Sequence, residues 1–593
     1  MQRIFREKHI PGGEKTVKTK RIAAGVLCAV LSLSMTTACS GTGGASENTQ
    51  NTTAAAETAK PKEAELHTLF IRAPKKFSEI TATFLNTASK ETTDIEMKKE
   101  SETDSAVTFS CEADVNLYNM VHIKSGETQS FDVAFNRFTS GWNFENNELL
   151  PYAEGKEPVY DPKFETKVFR FDGYDKNVYI WTPADYDEKA AEKYSVIYMF
   201  DGQSVLTTGV DKGMDNDAVC WNVSENVESM MAVSDNKAII VAVDNNSVYR
   251  WDELVPDLGK INNDGAENAV KVEDLTHKRG SAFAEFICET VMPYINETYN
   301  VYTDAQHTSL AGSSLGGLET FYTVLSYPDK FGTGGVMSAT FDMYAEKEWT
   351  KFLSDKLNME NAPLLYMYAG SYASDNGDVT EKMYNALIEK GYAKDKIVFS
   401  KYEPGEHLIN YWRNIYPEFL EAAFTKNVSA LEFGVPVHYE DTSDPFQEYL
   451  KEMEIDLENI EPGYVYYDNS ETKWENVYAY WWGGMSINSV TKESYYFSEW
   501  PGIKMEQIEG TDIYRIVAPF GVTGGIIFDS GVTDREVAEG KEAYQTVDLE
   551  YSTETIGKIY KIDMSVEPKT DSGTMKTKHR YPEGAWSDYS EKQ

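Results

Sequence analysis

Ser314 stands in Gly312-Ser313-Ser314-Leu315-Gly316, between an apolar strand-like run at 308–311 and a segment of helical pattern at 318–325. A serine hydroxyl is a weak nucleophile until a neighbouring base takes its proton, and it must be lifted clear of the backbone to reach an acyl carbon. The G-x-S-x-G spacing supplies that lift, because a turn so sharp needs small residues two positions before and after the nucleophile. The bare pattern arises by chance in long chains; the flanking strand and helix give it weight. The base is expected downstream, in the order Ser, acid, His. Of the three histidines after Ser314, His579 lies in a polar tail and His438 in a polar bridge, whereas His407 follows the strand-like run 397–402 within Glu403-Pro404-Gly405-Glu406-His407. His407 is therefore the expected general base. The acid belongs in the loop after the strand-like run 363–368, where Asp375 and Asp378 compete. Asp378-Val-Thr-Glu381 has capping-box spacing and so a structural use as an N-cap. Asp375 is the better triad member and Asp378 the alternative.

Such a constellation needs a rigid sheet beneath it. Runs at 195–200, 237–243, 308–311, 363–368 and 397–402 alternate with helical patterns, the clearest at 281–299 with Phe283, Phe286, Ile287, Val291 and Ile295 on one stripe. Strands alternating with helices predict a parallel sheet covered on both faces, here an α/β domain over 158–426. Short extended runs with polar turns predict a β-sandwich over 67–150. A bridge at 427–462 leads to aromatic strands at 463–551, and the polar stretch 552–593 carries no assigned structure. The expected fold is multidomain: an α/β-hydrolase domain flanked by two β-sandwiches.

The 593 residues suit three or four domains. Lys and Arg number 56 against 96 Asp and Glu, a net charge of −40 that disfavours nucleic acid and anionic lipid surfaces. A hydrophobic share of 41% supports packed cores and excludes disorder for most of the chain. Lys18, Lys20 and Arg21 precede an apolar run at 22–35, too short to span a membrane, in the order of an export signal. Thr37-Ala38-Cys39 resembles the bacterial lipobox, which implies a signal peptide over 1–39, lipidation at Cys39 and a surface lipoprotein; ordinary cleavage without lipid is the alternative, and either predicts export. Residues 40–66 read as a flexible tether. Cys111, Cys220 and Cys288 have no paired spacing, so neither a disulfide framework nor a zinc site is expected. Asp211, Asp215 and Asp217 crowd one loop, but Gly213 and Asn216 break calcium-loop spacing. No metal and no cofactor is expected.

Beyond the elbow, Tyr179-Ile-Trp-Thr-Pro183, Tyr194-Ser-Val-Ile-Tyr-Met-Phe-Asp201-Gly202-Gln203, Tyr327-Pro328-Asp-Lys-Phe331-Gly332 and Gly405-Glu-His407 with Trp412-Arg413 follow one another as in a known group. Over about 165–425 the chain resembles the esterases of the α/β-hydrolase class that include esterase D, enterobactin esterases and carbohydrate esterase family one. The resemblance implies an oxyanion hole from the backbone N–H groups of Leu315 and Gln203. Ser338-Ala-Thr-Phe341-Asp342 departs from that group's Ser-Pro-Ser-Phe-Trp, and no acyl-group signature is legible.

Twelve aromatic residues fall between Tyr464 and Trp500. Strand alternation puts Tyr478 and Tyr480 on one face, where rings can stack on a pyranose, although most of the twelve read as core. Trp474-Glu-Asn-Val-Tyr-Ala-Tyr480, Trp500-Pro-Gly502, Ile526-Ile-Phe-Asp529 and Gln545-Thr-Val-Asp548 resemble the starch-binding carbohydrate-binding module of family twenty-six. That resemblance implies a sugar platform of Tyr478, Tyr480 and Trp500 with a polar contact from Gln545. Together these readings predict an exported serine esterase acting on acyl esters of a carbohydrate, of acetyl or feruloyl type, held on α-glucan by its C-terminal module. The alternatives are a glycan-binding lipoprotein with a vestigial hydrolase domain, and acyl transfer by the same triad.

Overall fold

The structure is a computed structural model that describes residues 63–590, apart from 146, 159–161, 207–219, 246–247, 263–271, 371–374, 403–404, 427, 429–449, 451–454, 483–486, 493–499 and 523. The export signal with Cys39, nearly all of the tether, the Asp211/Asp215/Asp217 loop and most of the bridge with His438 lie outside the described residues.

Alternation at period two builds the first sheets. Along Leu66–Pro74, Leu69, Ile71 and Ala73 are buried while their neighbours are partly exposed. This strand lies in a five-stranded sheet with Ala106–Asp114, Lys98–Glu102, Gly141–Glu145 and Glu148–Tyr152. A second sheet contains Thr92–Glu96, Thr81–Leu85 and Met120–Ser125. Both contribute to one apolar core that includes Leu69, Phe84, Phe109, Val121 and Trp142.

The central sheet has eight strands: β1 (Glu165–Phe171), β2 (Tyr174–Trp181), β3 (Ser195–Met199), β4 (Ala238–Val243), β5 (Thr308–Ser313), β6 (Thr333–Met337), β7 (Leu364–Ala369) and β8 (Ile397–Lys401), in the order β1-β2-β4-β3-β5-β6-β7-β8. β1 and β2 form a hairpin through Asp172 and Gly173, both at positive φ (49° and 92°), the type I′ geometry that Asp-Gly adopts readily. β2 pairs antiparallel with β4, and from β4 to β8 every pairing is parallel. All six residues of β4, β5 and β7 are buried, as expected of parallel strands covered on both faces. The helices used below are α1 (Val223–Val233), α2 (Arg250–Glu253), α3 (Leu315–Ser326), α4 (Gly377–Glu389) and α5 (Ile409–Thr425).

The helix expected at 281–299 runs from 280 to 298 with a π turn at Ile287–Val291 in its middle. Apolar residues four apart drift by about 40° per step on an ideal helix, and the wider turn takes back part of that drift. Phe283, Ile287, Val291 and Ile295 accordingly all stay buried.

The C-terminal region has two larger sheets. One orders Glu506–Gln507, Ile513–Val517, Tyr464–Asp468, Lys558–Ile562 and Gly584–Asp588; the other includes Ile503–Lys504, Tyr478–Trp481, Gly525–Asp529, Ala543–Thr546 and Lys578–Tyr581. They share a core with Val465, Tyr467, Trp481, Phe528 and Tyr560. The stretch 552–593, to which the sequence assigned no structure, supplies strands to both sheets. Its polarity misleads because Lys558 and Lys561 are only partly buried while Ile559, Tyr560 and Ile562 are buried. A short helix α6 (Asp534–Ala538) follows Gly525–Asp529 and is fixed by a capping box between Thr533 and Glu536. No helix of the described residues is long and apolar enough to cross a membrane.

Candidate active site

Ser314 follows the last residue of β5 and is the N-cap of α3, with φ 58° and ψ −125°, a conformation that costs a non-glycine residue free energy and that its surroundings must hold. Its N–H donates to Met337 O at 3.0 Å, and its carbonyl accepts from Leu318 N–H at 3.0 Å. A methyl group on Gly312 would come within 2.7 Å of Gly316 O, and one on Gly317 within 2.7 Å of Met337 O. The small residues around the serine are therefore a steric requirement of the turn. Leu315 opens α3, so its N–H has no acceptor within the helix and carries the positive end of the helix dipole. Further along α3, Glu319 is fully buried with the Thr323 hydroxyl 3.2 Å from Oε1. Burial pushes its carboxyl well above the usual range.

The loop after β3 carries Asp201, Gly202 and Gln203. Asp201 has left-handed backbone angles (φ 54°, ψ 42°). Arg250 grips its carboxylate with two nitrogens, Nε to Oδ1 at 2.8 Å and Nη2 to Oδ2 at 2.9 Å, and the Asn245 side chain also donates to Oδ1. Asn245 N–H donates to Gln203 Oε1 at 3.2 Å. A methyl on Gly202 would lie 2.7 Å from the carbonyl carbon of Ala242, and one on Gly316 3.0 Å from Asp201 Oδ2. The loop is thus seated between the end of β4 and the first turn of α3, which brings the segments bearing the Gln203 and Leu315 amides together.

His407 lies in the loop after β8, with Nδ1 2.9 Å from Oδ1 of Asp375 in the loop after β7. The Asp375 side chain is fully buried. Its second oxygen accepts from Ser338 Oγ at 2.8 Å and from Gly370 N–H at 2.6 Å, and Ser338 Oγ in turn accepts from Trp412 Nε1 at 2.8 Å. Trp412 also meets the His407 ring edge-on at 5.0 Å. The two loops touch backbone to backbone, since a methyl on Gly370 would come within 2.2 Å of Gly405 O. With Nδ1–H given to Asp375, Nε2 is the nitrogen free to take a proton. Asp378 is not the N-cap expected of it: Asn376 holds that position, and Asp378 sits in the first turn of α4, bonded to Lys382 at 3.1 Å. Arg250 and Asn245 had no sequence signal of their own, and Ser338 and Trp412, though they stand in the quoted motifs, were given no role there, because these roles arise from contacts between segments far apart in the chain.

In the C-terminal region Tyr478 and Tyr480 are partly exposed while Ala479 and Trp481 are buried, the alternation of a strand with one outer face. The Tyr480 ring stacks beside Trp482 at 6.2 Å and meets Trp500 at 5.5 Å and 72°. Lys578 Nζ lies 4.3 Å from the Trp500 ring centre. Gln545, expected as a polar contact, is only 1% exposed, and its Nε2 donates to Thr546 O at 3.2 Å. Its place opposite Asp529, which itself stands opposite Tyr478, puts it on the Tyr478 face of the sheet, covered from solvent.

Residues 173–363 match the family model Esterase, described as "Putative esterase". The acid and the histidine lie beyond that segment. A stretch of 159 residues is 26% identical to the uncharacterized protein YbbA of Bacillus subtilis (strain 168), covering 26% of this chain and 63% of that protein, less than two thirds of its length. Among solved structures, the siderophore hydrolase EstA from Aspergillus nidulans aligns at 16% identity and a TM-score of 0.35 over 45% of this chain and 98% of its own. The enterobactin esterase FES from Shigella flexneri aligns at 14% identity and a TM-score of 0.34 over 61% of this chain and 93% of its own. By its family match and its sheet order, the segment that carries the elbow is an esterase-type, α/β-hydrolase-like domain.

Proposed function

We propose that the protein is an exported serine esterase, lipidated at Cys39, that removes acyl groups from a carbohydrate and is retained on α-glucan by a C-terminal β-sandwich module. The observation that carries the reading is the 2.9 Å bond between His407 and Asp375, on the loops after β8 and β7, in the same sheet whose β5 ends in the Ser314 elbow. Ser314 Oγ attacks the ester carbonyl as its proton passes to His407 Nε2, and the Leu315 and Gln203 amides receive the oxyanion. Collapse releases the alcohol, which takes the proton from His407 and leaves an acyl group on Ser314. Water then repeats the sequence and frees the acid. Tyr478, Tyr480 and Trp500 form the glycan platform, stacking on the apolar face of a glucose ring.

The test pairs hydrolysis of a p-nitrophenyl ester panel by wild type and Ser314→Ala with amylose retention of wild type and a Tyr478→Ala/Tyr480→Ala variant. Ser314-dependent turnover and loss of retention are expected. Absence of Ser314-dependent turnover across the panel rejects the esterase, and unchanged retention rejects the platform.

A further inference from the structure

The four-residue helix α2 has three charged side chains, and each is committed to a different part of the molecule. Arg250 holds Asp201 beside the oxyanion loop through two hydrogen bonds. Glu253, fully buried, accepts from Lys176 Nζ and from the Tyr174 hydroxyl, both at 2.6 Å, and so anchors the helix to β2. Asp252 points the other way. It is 6% exposed, its Oδ1 accepts from the backbone N–H of His277 at 2.6 Å, and it pairs with Arg535 of the C-terminal region. Arg535 is itself 9% exposed, and its Nη2 also donates to Leu275 O at 2.6 Å.

The geometry assigns Arg535 as a positioning residue for the esterase reaction: the C-terminal module supplies the cation that fixes α2, and through Arg250 and Asp201 the loop bearing the Gln203 oxyanion donor. This rests on the esterase reading above. A buried carboxylate that loses its cation is strongly destabilised where it sits, so Asp252 without Arg535, left with the His277 amide and the His277 ring 3.7 Å from Oδ2, is pressed to move toward water or take up a proton. Movement toward water shifts a helix one turn long, and protonation leaves it without the ion pair that ties it to the C-terminal region; Arg250 is in that turn. An oxyanion donor works only when it is already in place as charge develops, so a small displacement lowers kcat while leaving ground-state binding nearly unchanged. The cation is itself firmly held. The capping box at Thr533 and Glu536 sets the start of α6, and Asp534 beside Arg535 bonds Lys578 Nζ at 2.8 Å, the same ammonium that lies over Trp500. The C-terminal region is thus built onto the catalytic domain at the oxyanion side and is more than a passenger on a linker.

The experiment uses the full chain and p-nitrophenyl acetate, comparing wild type, Ser314→Ala, Arg535→Gln, Arg535→Lys and the pair Asp252→Asn/Arg535→Gln, with far-UV circular dichroism and Tm for each. Arg535→Gln is expected to lower kcat about tenfold, less than the roughly 10²–10³-fold that outright loss of an oxyanion donor costs, with KM within about twofold. Arg535→Lys, which keeps the charge, should recover most of the loss. The paired variant removes both charges and should fold with kcat still reduced. Wild-type kcat in Arg535→Gln or in the paired variant overturns the assignment. So does a loss that Arg535→Lys fails to recover, or unfolding of both glutamine variants, since each makes Arg535 a stabilising residue only. A wild type with no Ser314-dependent turnover is a different result, because it rejects the esterase reading itself.

Discussion

Ser338 Oγ donates to Asp375 Oδ2 at 2.8 Å while accepting from Trp412 Nε1 at 2.8 Å, so one hydroxyl joins the acid to the helix that follows the histidine loop. Asp375 Oδ2 also takes the Gly370 amide at 2.6 Å, which leaves Oδ1 for His407. A carboxylate with both oxygens committed in this way cannot rotate freely, and the imidazole inherits its orientation.

Asp375→Asn is therefore expected to reduce kcat on a p-nitrophenyl ester by about 10³- to 10⁴-fold, since an amide can present its N–H to Nδ1 and favour the wrong tautomer. Asp378→Asn removes only an exposed partner of Lys382 and should leave kcat within about twofold. Steady-state kinetics on the two variants decide which aspartate serves; the reverse ranking would assign the role to Asp378.

Ser338→Ala leaves the Trp412 N–H buried without an acceptor and Asp375 Oδ2 one donor short. Leaving such a group unmade costs about 1–3 kcal/mol. The expected outcome is a kcat about tenfold lower together with a reduced Tm, whereas Ser338→Thr, which keeps a hydroxyl, should lose less of both. Equal losses in the two variants would show that side-chain volume at 338, and not the hydrogen bonds, is what matters.

The central sheet was legible because parallel strands buried on both faces are written as largely apolar runs, such as 195–199 and 238–243, and because the turn between strand and helix forces glycine at 312 while Gly316 makes room for the Asp201 carboxylate. Chain order singled out Ser314 and His407 as candidates, and with them the loop after β7. The preference for Asp375 over Asp378 rested on capping-box spacing, which misplaced the helix start by two residues; the contact with His407 is an independent observation that favours Asp375. Arg250 and Arg535 were not legible at all, and Ser338 was quoted in a motif without a role. Each meets its partner across a long sequence separation, and nothing in Arg250-Trp-Asp-Glu253 signals that three charges of one turn go three ways. The strands beyond residue 552 were hidden for another reason: they are short and mix charged residues with buried ones, Lys561 between Tyr560 and Ile562, and His579 and Arg580 between the buried Lys578 and Tyr581.

Glu225 in α1 is 5% exposed, with the Ser224 hydroxyl 2.9 Å from Oε2. Burial pushes its carboxyl from the ordinary 4.5 up to about 7. The folded chain thus holds a proton that the unfolded chain has already released, so the group's stability contribution is fully present below pH 4.5 and is lost as pH rises through 7. The loss is on the order of 3 kcal/mol by pH 8. Glu225→Gln, neutral at every pH, should match wild type near pH 4.5 and melt at higher temperature near pH 8. A Tm difference that does not change across that interval would show that Glu225 ionises normally.

The seam between the N-terminal sheets and the catalytic domain argues that the two do not separate cleanly. Met120, Ala134 and Phe138 pack in one apolar cluster with Trp181, Trp412 and Phe419, and Phe131 meets Tyr411 edge-on at 6.3 Å. Polar groups cross as well: Asn136 Nδ2 donates to Pro417 O at 2.8 Å, Asp132 bonds both His122 and Tyr402, and Arg137 pairs with Glu421, whose side chain is almost fully buried. Arg137→Ala would leave that carboxylate uncompensated at a cost of about 3–5 kcal/mol, whereas Arg137→Ala/Glu421→Gln should recover much of it. Thermal melting of the single and paired variants measures the difference. A chain starting at residue 158 loses Arg137 and the apolar cover together, so it is expected to be aggregated or to melt well below the full chain. Because Tyr402 and Tyr411 flank His407 in sequence, any soluble fraction should also show reduced kcat. If the shortened chain is instead monodisperse with the wild-type Tm and kcat, the N-terminal sheets are an appendage, and the contacts to Tyr402 and Glu421 contribute nothing to holding the histidine loop.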